Sequence, residues 1–225
     1  CISVSPPQRV GDGHEYLAMA INMAAFRPPA LAPDDLVRIE GTLDRWHFSG
    51  LPLAFHHQLR DAAGRQDFFH FWFYSALAAP GIWLAEAAGL HPNYAFVALN
   101  VLLFVGAFYV VSRRLTWWLT AMVFCSPVLW WIDKAHTEAF TFSLLAIAFA
   151  LLREAPWWSM IALAAATTQN PPIAVPLVAV AVVTPLSKAT ARPKRSRIVF
   201  FFGAGCWACW MAIARVFARP AYAIR

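Results

Sequence analysis

Two charge-free stretches, Leu115–Ile132 and Ala139–Leu152, flank six residues, Asp133-Lys134-Ala135-His136-Thr137-Glu138, that carry four ionisable groups. Apolar stretches of this length read as membrane spans. An ionisable group costs several kcal/mol in hydrocarbon, so the six residues must lie at a membrane surface or line a wet cavity. Ionisable groups placed in this way are functional candidates.

The rest of the chain fits that constraint. It is 60% hydrophobic and 13% charged, against about 25% charged in an average soluble domain. Eight of the twelve acidic residues precede Phe68, whereas Arg113-Arg114 and Lys188, Arg192, Lys194, Arg195 and Arg197 form two later cationic clusters. A polar head is thus followed by a polytopic region with cations in short loops. That distribution argues against nucleic-acid binding, despite a pI near 9.5. Cys1, Cys125, Cys206 and Cys209 show no disulfide framework, and Cys206-Trp-Ala-Cys209 reads as small apolar residues in a helix. The start at Cys1 and the end after Arg225 are read as those of a fragment of a longer protein.

The expected fold class is all-α: a polytopic membrane helix bundle with an outer loop of amphipathic and interfacial helices. Residues 1–67 form the extracytoplasmic loop, with amphipathic helices over His14–Phe26 and Leu53–Leu59. Asp12 is placed to cap the first, with Glu15 in its first turn. Residues 68–90, interrupted by Pro80-Gly81 and carrying Glu86, form an interfacial juxtamembrane helix; the alternative is a full span. Transmembrane helices are expected at about 95–112, 115–132, 137–152, 157–169, 172–186 and 198–217. Paired tryptophans at 117–118 and 130–131 match the two interfacial belts.

Parity orders these segments. With Arg113-Arg114 and the 188–197 cluster both cytoplasmic, Asp133–Glu138 falls outside, Arg153 inside and Gln169-Asn170 at an outer turn. The arms on either side of that turn have about 13–14 residues, roughly 20 Å, short against a core of about 30 Å. Asp12, Glu15, Asp133, Glu138, Gln169 and Asn170 then share one face of the membrane.

The segment Gly11–Tyr16 combines a flexible turn with two carboxylates and an imidazole, suited to a general base or a metal ligand, or to an ordinary helix start. Asp133, His136 and Glu138 bring two carboxylates and an imidazole to a helix entrance, or merely face water. Lys134 is placed to hold a phosphate as a point charge, or to snorkel. His47, His56, His57 and His70 match no standard metal-ligand spacing, but Asp67 and His70 open the interfacial segment and are candidates for the same cavity.

These motifs, GDGHEYLAMA (11–20), DFFHFWFYSALAAPG (67–81), SPVLWWIDKAHTEAFTFSLL (126–145) and TTQNPPIA (167–174), taken in order, resemble the GT-C class of integral-membrane glycosyltransferases. The likeness is to bacterial members related to protein mannosyltransferases and the aminoarabinose lipid A transferases. The class has a span before its acidic loop, and spans and an acceptor-binding part beyond those expected here; their absence from the sequence is read as truncation of a longer protein. The resemblance implies a polyprenyl-phosphate-linked sugar donor, an unidentified acceptor and inverting, single-displacement transfer at the outer face of the inner membrane. It makes Asp12 or Glu15 the catalytic base. His14, Asp67, His70, Asp133, Lys134, His136, Glu138, Gln169 and Asn170 become substrate-binding, with Lys134 toward the donor phosphate. Some members use a divalent metal and others none, so the metal stays open. The rival reading is a multi-pass transporter or flippase with a broken-helix substrate site at Gln169-Asn170.

Overall fold

The computed structural model describes residues 12–46, 59–60, 64–68 and 70–188. The expected span at 198–217, and His47, His56 and His57, lie outside them. The chain divides into two compact units, Cys1–Gly106 with Ala121–Phe140, and Ala107–Thr120 with Thr141–Arg225. The architecture is helical. Among the described residues are α1 (Gly13–Ala24), α2 (Pro33–Arg45), α3 (Phe73–Ala87), α4 (Tyr94–Ser112), α5 (Trp117–Phe124), α6 (Thr137–Leu151), α7 (Pro156–Thr167) and α8 (Ala174–Lys188). The only strands among them, β1 (Leu59–Arg60) and β2 (Gln66–Asp67), pair antiparallel with Leu59 opposite Asp67. Leu59 is therefore extended, contrary to the helix expected to end there.

The first unit is built around α1. Its residues 13–22 are all buried, so it is a core helix and lacks the solvent-facing stripe expected of an amphipathic one. Apolar Leu17, Ala18, Met19, Ala20 and Ile21 supply that burial. The Ser75 hydroxyl on α3 donates to the Tyr16 carbonyl at 2.9 Å, and the Trp83 indole donates to the Ala24 carbonyl at 2.8 Å, fastening α3 along α1. The helix α2 was not foreseen, although Pro33 at its first position and acids in its first turn mark a helix start. Buried Asp35 accepts from the Ala32 amide at 3.0 Å and from Arg27, and Asn22 of α1 donates to it at 3.4 Å. Burial acts to push the Asp35 carboxyl up, but these donors outweigh it and hold the group below its usual range. Leu31 and Gln66 exchange backbone hydrogen bonds of 2.8 and 2.7 Å, which anchors the segment leading to His70.

Two expected boundaries are corrected. Pro80-Gly81 does not break α3, which runs continuously from Phe73 to Ala87. Pro80 lies on the exposed side, where a missing backbone bond costs least, and Gly81 lets α4 approach: a Cβ there would lie 3.0 Å from that of Ala95. The expected span at 115–132 ends as an α-helix at Phe124. Ser126 before Pro127 is extended (φ −113°, ψ 167°), and Pro127–Trp131 forms a 3-10 turn. Proline disfavours helical backbone in the residue before it, and that physical fact outweighs the apolar run.

The α4 helix crosses from one unit to the other in sequence and, among the described residues, is the one helix long and apolar enough to cross a membrane. Its 19 residues extend about 28 Å. The α6 helix and the segment Pro171–Val182 are apolar but shorter. Within the first unit, buried Asn100 of α4 accepts from the Tyr74 hydroxyl at 2.9 Å and donates to the carbonyls of Ile132 (3.3 Å) and Lys134 (2.9 Å). One amide thus ties α3, α4 and the Asp133–Glu138 loop together. Asn100→Leu removes a partner from the buried Tyr74 hydroxyl and from two part-buried carbonyls, and thermal or denaturant melts should show a loss of about 2 kcal/mol.

Candidate functional site

The site begins at the first turn of α1. Asp12 occupies the N-cap position, but its side chain makes no capping bond; its carbonyl accepts from the Glu15 amide at 3.0 Å. The carboxylate turns instead to His70, with Oδ2 at 3.2 Å from Nε2. One helical turn later, Glu15 Oε2 lies 2.7 Å from Nδ1 of the same ring. His70 therefore bridges two carboxylates through both ring nitrogens. A neutral imidazole has one N–H, so satisfying both contacts requires the imidazolium. The hydrogen bond to Glu15 is the main cause that raises the His70 pKa; burial opposes it, the Glu15 and Asp12 charges add to the rise, and His136 opposes it.

The two carboxylates differ in access. The Glu15 side chain is 8% exposed and that of Asp12 54%. Buried His14 approaches the other Glu15 oxygen at 4.0 Å.

The second acidic motif meets the first directly. A Cβ on Gly13 would lie 3.1 Å from the Ala135 carbonyl oxygen and 3.6 Å from His136 Cδ2, so glycine between Asp12 and His14 permits the approach. Gly13→Val should force these apart and cost about 1–3 kcal/mol in a thermal melt. His136 Nδ1 lies 3.2 Å from Glu138 Oε2. Tyr16 sits among these groups, its ring 5.2 Å from His70, 5.5 Å from Tyr74 and 6.5 Å from His136, between centroids. Its hydroxyl bonds the side chain of Thr137, and burial pushes the phenol pKa upward. Tyr16, Thr137 and Asn100 were missed as site residues; Tyr16 adjoins Glu15, and Thr137 lies within the second motif.

The other candidates are placed differently. Asp67 accepts from the Phe68 amide at 3.0 Å, shaping the exit from β2 toward His70. The Lys134 ammonium donates to the Trp130 carbonyl at 2.6 Å and to Asp133 at 2.7 Å, and lies 4.1 Å from the Trp130 ring centre. Its charge is thus engaged within its own loop. Gln169 and Asn170 belong to the second unit, where Asn170 (φ −134°, ψ 87°) precedes a 3-10 turn between α7 and α8.

Asp12, Glu15 and His70 also offer one ligand atom each within 4.8 Å of one another. Two oxygens and one imidazole nitrogen suit a first-row divalent cation better than calcium or magnesium, which prefer oxygen throughout. Such an ion would take only one ring nitrogen and displace the ring proton. The residues fit that role as an alternative to the bridging imidazolium.

No family model matches the chain, and no curated protein or solved structure matches it either.

Proposed function

We propose that this chain carries the outer-face site of a GT-C-type membrane glycosyltransferase using a polyprenyl-phosphate-linked sugar. The observation that carries the reading is the meeting of Asp12 and Glu15 with His136 and Glu138 through Gly13 and Tyr16. An inverting transfer needs a base beside the acceptor hydroxyl and a polar wall to position the sugar. Asp12, the exposed carboxylate, takes the acceptor proton. The acceptor oxygen forms its bond to the anomeric carbon as the carbon–oxygen bond to phosphate breaks, and polyprenyl phosphate leaves. Glu15 and His70 hold Asp12 in place. Glu138, 44% exposed at its side chain, faces the substrate with His136. A bilayer location, with α4, α6, α7 and α8 as membrane helices, belongs to the same reading.

The test is transfer of labelled sugar from a synthetic polyprenyl-phosphoryl donor in vesicles carrying the complete reading frame. Absence of both transfer and donor cleavage across sugars and acceptors would sink it. The break at Asn170 favours the transporter reading instead. Asp12→Cys and Glu138→Cys, at side chains 54% and 44% exposed, separate the two: labelling from the outer side alone supports transfer, and alternating access supports transport.

A further inference from the structure

The second unit contains a repeated corner that the proposed reaction does not use. Arg113 is followed four residues later by Trp117-Trp118, and Arg153 at the same spacing by Trp157-Trp158. Each tryptophan pair lies in the first turn of a helix, α5 or α7; the first pair is stacked, with centroids 3.6 Å apart at 27°, and the second is close but tilted, 3.9 Å apart at 32°. All four rings are exposed, between 46% and 64%. The corners are joined: Arg114 Nη1 lies 2.7 and 2.8 Å from the two Glu154 oxygens. That pair neutralises itself and leaves Arg113 and Arg153, both exposed and in no ion pair among the described residues.

We infer that these twin corners bind anionic phospholipid headgroups of one leaflet, with Arg113 and Arg153 on the phosphates and the indoles at the carbonyl level. The inference rests on the membrane part of the proposed function. Charge complementarity commits it to a lipid phosphodiester: two unpaired guanidiniums each precede an exposed tryptophan pair by four residues, on corners that the Arg114–Glu154 ion pair joins. Tryptophan prefers the boundary between headgroup and acyl chain, and guanidinium takes phosphate through paired N–H donors. Each arginine near an anionic surface adds about 1 kcal/mol, so the two together set an expected selectivity of up to about thirtyfold for anionic over zwitterionic lipid.

The experiment reconstitutes the chain in vesicles and measures tryptophan quenching by dibrominated phosphatidylglycerol against dibrominated phosphatidylcholine. The wild type should favour phosphatidylglycerol, Arg113→Gln with Arg153→Gln should fall to near parity, and Arg113→Lys with Arg153→Lys should keep most of the preference. Parity in the wild type, or unchanged selectivity in the Gln variant, overturns the inference. If the Gln variant misfolds by circular dichroism, Trp117→Phe with Trp157→Phe replaces it; that variant should lose part of the preference, and full retention overturns the inference. Alkaline carbonate extraction separates the two levels. Release of the chain from membranes overturns the membrane reading itself, whereas retention without lipid preference overturns this inference alone.

Discussion

On the proposed transferase reading, replacing Asp12 by Asn is expected to lower sugar transfer by about 10²–10⁴-fold, the usual contribution of a positioned proton acceptor. The amount of chain in the membrane and its helicity should stay unchanged. The reason lies in what Asp12 does not do: it makes no side-chain cap on α1, and its carboxylate is more than half exposed. An amide there cannot take the acceptor proton, yet little folding energy is lost. Glu15→Gln makes the contrast. Glu15 is buried against His70, so its loss should reduce stability and transfer together. Near-normal turnover by Asp12→Asn, measured at saturating donor, removes Asp12 from the role of base.

The second large effect is the dependence of the first unit on His70. His70→Ala leaves buried Glu15 without the ring that faces it. Breaking a fully buried ion pair costs 3–5 kcal/mol, and the partial exposure of His70 reduces this to about 2 kcal/mol. The pH dependence has a definite sign. The folded-state pKa of His70 is raised above its unfolded value, chiefly by the Glu15 hydrogen bond. Its stabilisation is therefore complete below the unfolded pKa of about 6.5 and disappears as pH rises through the folded value. Denaturant melts should show the wild type losing stability from slightly acid to alkaline pH, while His70→Ala stays flat across that window. A variant that tracks the wild type at every pH would remove the imidazolium bridge.

Much of the helical order was legible in the sequence because apolar runs and their punctuation act locally. The α6 and α7 helices fall within two residues of their expected bounds, and the start of α1 within one. Failures came where a local rule met packing. Pro80-Gly81 reads as a break, but a proline on an exposed helix side and a glycine at a helix contact both fit a continuous helix. At Ser126-Pro127 the reverse holds, and a local backbone restriction ends an apolar run. Asp12, Glu15, His70, His136 and Glu138 stand out in the sequence by the chemistry of their side chains. The bridging of two carboxylates by one ring does not, because nothing in a linear string sets position 70 against positions 12 and 15. The pairing of Lys134 with Asp133, its own neighbour in sequence, was equally illegible, because spacing alone does not say which carboxylate an ammonium takes.

The contact made at Gly13 has a consequence for how this site can vary. In Asp12-Gly13-His14-Glu15 the two acids are constrained by charge, but the glycine is constrained by volume, since the Ala135 carbonyl occupies the space of a side chain. Relatives that keep the chemistry are free to exchange one acid for the other, adjust the imidazole or lengthen the loops. Any that place a side chain at position 13 must shift the 135 carbonyl by a few tenths of an ångström. Position 13 is thus held to a small residue by the path of a neighbouring backbone, whatever side chain stands at 135.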